Sequence, residues 1–181
     1  MIRIADPADA EALLSVYAQY IDTPITFEYA LPTAEEFRRR ILTTLEEYPY
    51  LVWEEDGRLL GYAYAHRFRS READRWGAEL SVYVDRNAHS RGVGKALYTE
   101  LMRLLRQQGV KTAYGCVTLP NGKSEALHSS LGFTEAGVFH SAGFKAGQWF
   151  DVIWYEKALA PYDGQAEPPR PFPALHKEEK A

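Results

Sequence analysis

Apolar residues along the chain recur with two different periods, and the switches between them outline alternating strands and helices. Ile2 and Ile4 alternate with polar neighbours, which predicts a short strand, and Asp6-Pro7 then offers a helix cap followed by proline in the first turn. Ala10, Leu13, Leu14, Tyr17 and Ile21 keep helical spacing until Thr23-Pro24 opens a loop that is unusually apolar, with Ile25, Phe27 and Tyr29. Thr33-Ala34-Glu35-Glu36 is a capping box, whose hydroxyl and carboxylate satisfy free backbone donors, so a second helix runs from there to about Tyr48, before Pro49. Residues 50–55 and 58–68 read as a hairpin, because the intervening Asp56-Gly57 supplies the positive backbone angles of a tight turn.

After a polar stretch from Arg69 to Arg75, residues 76–84 form a further strand that ends at Asp85-Arg86-Asn87. Val93, Leu97, Leu101 and Leu104 then mark an amphipathic helix stopped by Gly109. Residues 111–119 read as a strand, 121–131 as a helix, and 133–159 as strands broken by glycines. The order is mixed α/β, with no internal repeats. Residues 1–160 form one domain, and 161–181, carrying Pro161, Pro168, Pro169, Pro171 and Pro173, form a flexible tail expected to bury nothing by itself.

Composition narrows this picture. A chain of 181 residues with 46% apolar and 25% charged content suits one packed globular domain. A net charge of -4 gives no polybasic footprint, so nucleic acid is not an expected partner. The single cysteine, Cys116, can form no internal disulfide or Cys-rich metal site. Met1 to Pro7 lack the apolar stretch of a signal peptide, and no run is long enough to cross a bilayer. Together these point to a cytoplasmic protein with no membrane partner.

Candidate chemistry begins at His89-Ser90-Arg91-Gly92-Val93-Gly94-Lys95-Ala96, a strand-to-helix junction. Glycines there let backbone N–H groups approach an anion, and a helix N-terminus adds roughly half a positive charge, which favours a phosphate. The same glycines also serve a plain tight turn. A second signal is Glu79: period-two alternation puts Glu79, Ser81 and Tyr83 on one face of their strand, and Ala78, Leu80, Val82 and Val84 on the other. A carboxylate in a central strand is costly to bury unless paired or solvated, so it lines a cleft or forms an ion pair with a nearby arginine.

The junction resembles the pyrophosphate loop of GNAT acetyltransferases, Gln/Arg-x-x-Gly-x-Gly/Ala, with His89 at the first position and Gly92 and Gly94 at the small-residue positions. A register starting at Arg91 would use Gly94 and Ala96 instead. Glu79-Leu80-Ser81-Val82-Tyr83-Val84 before the loop is similar to the phosphinothricin/methionine sulfoximine acetyltransferase branch. So are Leu119-Pro120-Asn121, Ser124, Leu127-His128 and Leu131-Gly132-Phe133 after it, and the run from Ala142 to Asp151. The resemblance implies a GNAT-type mixed, splayed β-sheet flanked by α-helices, acetyl-CoA as cosubstrate, no metal, a homodimer, and direct acetyl transfer to the amine of a small amino-acid-like substrate. A protein N-terminus or antibiotic amine as acceptor, or a CoA-binding sensor without catalysis, are the alternatives.

It further implies Glu79 as a base acting through water, with backbone donors for the developing oxyanion near Val82, Tyr83 and Val84. His128 falls where many members place a tyrosine acid, although a histidine in a helix also has structural uses. Asn121 and Ser124 become cofactor contacts, where helix capping or a turn at Asn121-Gly122 would equally account for them. Substrate choice falls to Phe27, Ser81, Arg69, Arg71 and Lys145, arginine forks being suited to carboxylate and phosphinate. An aromatic expected near the second arginine is replaced by Asp74.

Overall fold

A computed structural model describes residues 1–164 and 166–178. Seven strands make one sheet: β1 (Ile2–Ile4), β2 (Tyr50–Glu55), β3 (Arg58–Arg67), β4 (Gly77–Val84), β5 (Thr112–Thr118), β6 (Thr134–Lys145) and β7 (Gln148–Ala158). Their order is β1-β2-β3-β4-β5-β7-β6, antiparallel except for the central β4/β5 pair. A parallel pair needs a crossover, and α3 (Val93–Gln108) supplies it. Leu97, Leu101 and Leu105 of α3 pack on Ala63, Ala65, Ala78, Leu80 and Ala113, filling one face of the sheet. On the other face α1 (Ala10–Ala18) and α2 (Ala34–Glu47) bring Leu13, Phe37 and Ile41 against Tyr50, Val52 and Tyr62. The capping box that starts α2 is formed as expected, Thr33 and Glu36 each accepting from the other's backbone. α4 (Gly122–Ser130) follows β5.

The sheet is split at its centre. β4 and β5 pair only from Gly77↔Thr112 to Leu80↔Gly115, although β4 continues to Val84 and β5 to Thr118. β3 follows β4 along its whole length and β7 follows β5, so the two halves diverge as a wedge beyond Leu80 and Gly115.

Two expectations change. The glycines of 133–159 divide the segment only once: Ala146-Gly147, with Gly147 at φ 80°, makes the turn between β6 and β7, whereas Gly137 and Gly143 sit inside β6 where the register shifts, which is how glycine in a strand commonly accommodates a bulge. The tail, expected to bury nothing, docks on the domain. Trp76 Nε1 donates to Glu167 O at 2.8 Å, Arg170 N donates to Gln108 O at 2.8 Å, and Gln108 Nε2 returns a bond to Arg170 O at 2.8 Å. Phe172, at the start of α5 (Phe172–Glu178), is 4% exposed within the α3 core, with Leu175 buried one turn later. Proline-rich composition rules out a core of the tail's own, but two apolar residues at i and i+3 can complete a core that already exists.

Candidate active site

Glu79 sits where alternation places it, on the α1/α2 face beside Ser81 and Tyr83, lining a cleft of about 760 Å³ with Tyr64, His66 and Phe27. Its side chain keeps 20% of its exposure, and its partner is no arginine but the His66 imidazole, whose Nε2 lies 3.8 Å from Glu79 Oε1. The two are cross-strand partners in the β3/β4 register. Burial pushes the Glu79 carboxyl above its ordinary range, and His66 offsets this only in part. Sequence reasoning missed His66, although the β3/β4 pairing places Tyr62, Tyr64 and His66 opposite Tyr83, Ser81 and Glu79.

A second cleft of about 430 Å³ opens at the wedge, bounded by Val82, Val84, the His89–Lys95 turn and the first turns of α4. Tyr83 borders both clefts, so they meet across β4. Strand parity settles which amides face the gap. Gly77 O accepts from Phe68 N and Asp85 N donates to Leu60 O, so odd-numbered backbone groups of β4 face β3. The amides of Val82 and Val84 therefore point into the wedge, where no strand pairs with them, whereas that of Tyr83 turns away.

At the turn, Gly92 holds φ 82° immediately before Val93 begins α3, which selects the register starting at His89. A Cβ on Gly94 would lie 3.6 Å from both Leu127 and Val84, so a larger side chain would project into the cleft. Lys95 and Lys123 border the same space, and the free amides of the first α3 turn face no competing acid among the lining residues. This cradle fits a diphosphate. Ala96 contributes less than expected, because its amide donates to Gly92 O at 3.0 Å. Arg91 turns outward to Glu55 at 2.5 Å. His89 packs as a strut: its Nε2 contacts Tyr20 Oη at 2.8 Å and Val84 O at 3.1 Å, and Lys123 Nζ donates to its Nδ1 at 2.9 Å. Ser90, with φ 61°, and Ser124 border the cleft. Asn121 does so while its side chain caps α4 by accepting from Ser124 N at 3.3 Å.

His128 is not placed as an acid. It is 2% exposed, stacked on Tyr155 with centroids 4.9 Å apart and edged by Phe133 and Tyr98. Its Nδ1–H donates to Ser124 O at 2.8 Å, leaving Nε2 as a buried lone pair without a partner. Burial lowers its pKa, so the ring is neutral and carries no proton at Nε2 to give. Nε2 lies 2.2 Å from where a Cβ on Gly115 would stand, so the ring needs a bare backbone on β5 and fills core.

The substrate residues separate. Phe27 lines the Glu79 cleft, its ring so close to Gly143 that a Cβ there would lie 2.3 Å away, and Ser81 lines it too. Lys145 is 6% exposed and donates to Ile21 O at 2.7 Å and Thr26 O at 2.5 Å, so it anchors the apolar loop instead of meeting a ligand. Arg69 lies 4.9 Å over the Phe68 ring on a different cleft with Asp74, and Arg71 is exposed and borders neither. Neither arginine lines the cleft that holds Glu79.

A sheet opened at its centre, with a cradle suited to an anion at one side of the gap and a half-buried carboxylate at the other, fits an acyltransferase supplied by a diphosphate-bearing carrier. The chain belongs to the GNAT acetyltransferase family: residues 2–154 match the acetyltransferase (GNAT) domain. It is 36% identical over 171 residues to the phosphinothricin N-acetyltransferase of Streptomyces viridochromogenes, covering 94% of this chain and 91% of that one. It is 31% identical over 160 residues to the L-methionine sulfoximine/L-methionine sulfone acetyltransferase of Salmonella typhimurium, covering 87% and 94%. A phosphinothricin acetyltransferase from Sinorhizobium meliloti, solved in complex with acetyl-CoA, superposes with a TM-score of 0.86 at 33% identity over 94% of this chain and 92% of its own. The chain is thus an acetyl-CoA-dependent N-acetyltransferase.

Proposed function

We propose that the protein acetylates the amine of a small amino-acid-like acceptor, of the phosphinothricin or methionine sulfoximine kind, that binds in the Glu79 cleft. The observation that carries this is Glu79 itself, a carboxylate half-withdrawn from water beside the wedge, with a single imidazole for company. An ammonium cannot attack a thioester until it loses a proton, and Glu79 takes that proton through a water. Acetyl-CoA supplies the acyl group. The Gly92–Lys95 amides hold its diphosphate, and the Val82 and Val84 amides face the gap where charge develops on the carbonyl. The names of the relatives support the acceptor class. Thiol release measured across free amino acids, methionine sulfoximine, phosphinothricin and short peptides tests it. Release confined to peptides or antibiotic amines replaces the acceptor, and acetyl-CoA binding without release for any amine leaves a sensor.

The working form is a cytoplasmic homodimer on this reading. β6 is exposed along nearly its whole length, and Phe139 (59%), Phe144 (45%) and Trp149 (65%) present apolar surface on one hairpin. Light scattering at twice the chain mass of 20.6 kDa is the expected result, and a monomer at micromolar concentration rejects it. Cell fractionation tests the compartment, for which the single thiol is the support.

A further inference from the structure

Removing Arg69 and Arg71 from the Glu79 cleft leaves the question of what recognises the acidic end of an amino-acid-like acceptor. The cleft has two arginines of its own, Arg39 and Arg40, and Arg40 is the one ion-paired to its wall. Phe37, Arg40 and Thr44 follow one another at helical spacing on α2 and all line it. Arg40 Nη2 is paired with Glu28 Oε1 at 2.8 Å, Glu28 coming from the apolar loop. That loop is fixed around Thr26: Tyr17 Oη meets Thr26 Oγ1 at 2.6 Å, Glu28 N donates to the same oxygen at 3.2 Å, and Lys145 grips Thr26 O. The pair is therefore part of the cleft wall.

Its geometry is incomplete. A guanidinium is built to meet a carboxylate through two parallel bonds, yet Glu28 Oε2 is buried with no partner. A carboxylate left half-satisfied is a weak competitor, because its second oxygen has been stripped of water without compensation. Tyr64 lines the same cleft, and its hydroxyl lies within the fields of Arg40, Glu28 and Glu79 alike. The cleft thus presents a carboxylate to an incoming ammonium and a guanidinium to an incoming carboxylate, the charge pattern of a zwitterion in reverse.

We propose that Arg40 is the specificity residue that binds the acceptor's carboxylate, with Glu28 occupying that place until the acceptor displaces it. The inference rests on the acetyltransferase reading of the same cleft. A charge-assisted bond of this kind is worth about ten- to a hundredfold in affinity.

The test uses the purified full-length chain, L-methionine sulfone and its methyl ester, and acetyl-CoA-dependent thiol release. Arg40→Gln is expected to raise KM for the free acid about ten- to a hundredfold while changing KM for the ester less than about twofold. Glu28→Gln, which frees the guanidinium, is expected to lower KM for the acid alone. Arg38→Gln, a cation of α2 that does not line the cleft, should leave the acid-to-ester ratio unaltered. Thermal unfolding and acetyl-CoA binding, unchanged in Arg40→Gln, show that the fold survives. Equal losses for acid and ester, or the same ratio change in Arg38→Gln, overturn the clamp while the transferase stands. A wild-type chain silent toward both acceptors overturns the amino-acid reading itself.

Discussion

Replacing Glu79 with glutamine is expected to lower kcat/KM for the amine acceptor by about 10²–10⁴ while leaving acetyl-CoA affinity, read by calorimetry, within about twofold. The substitution keeps the shape and half the acceptor capacity of the side chain but removes its ability to take a proton. The cofactor cradle is built from backbone on the other side of β4 and does not touch this group. The pH profile supplies an independent readout. Because burial raises the Glu79 carboxyl, the group stays protonated above the usual carboxylate range, and the wild-type rate climbs as pH rises through that raised value. Glutamine abolishes this limb. Stability moves the opposite way: a folded-state pKa above the unfolded one means that folding loses stability as pH rises from the unfolded value through the folded one. At neutral pH the charged carboxylate is a burden on the fold, so Glu79→Gln should melt no lower than wild type. An unchanged rate, or a rate lost together with acetyl-CoA binding, would show that Glu79 is not the base.

The second large effect lies far from the chemistry. Phe172→Ala is expected to destabilise the domain by about 3 kcal/mol, the lower end for a buried phenylalanine, because the emptied site can be partly relieved by release of the tail. For a chain of this size that corresponds to a fall in Tm of roughly 6–12 °C. The hydrogen bonds joining Arg170 to Gln108 and Glu167 to Trp76 should loosen with it, visible as faster amide exchange at Arg170. Activity at low temperature should persist, since among the described residues none of α5 borders either cleft. A melting curve superimposable on wild type would mean that the tail adds nothing to the core.

Much of the fold was readable because local signals agreed with one another. Alternation from Ala78 to Val84 assigned the faces of β4, Asp56-Gly57 marked the turn between β2 and β3, and Gly92 marked the start of α3. These are properties of one element or two neighbours. The misplaced residues depend on contacts distant in sequence. Lys145 is claimed by carbonyls about 120 positions earlier, and Arg69 is drawn over Phe68 toward the β5/β7 face. His128 faces inward because Gly115 leaves room for its ring, a fit that neither residue announces alone. Arg40 and Glu28 look like ordinary surface charges in the sequence, and only the packing of the loop on α2 joins them at the cleft.

The hairpin of β6 and β7 leaves β6 at the rim of the sheet, bonded on one side only. An unpaired strand twelve residues long could template stacking between copies in a crowded cell. Register shifts between Glu135 and Gly137 and between Phe139 and Gly143 divide that rim into short stretches. A passing strand therefore meets no long straight ladder, and unregulated fibre growth is discouraged while side-chain contacts between two hairpins remain open.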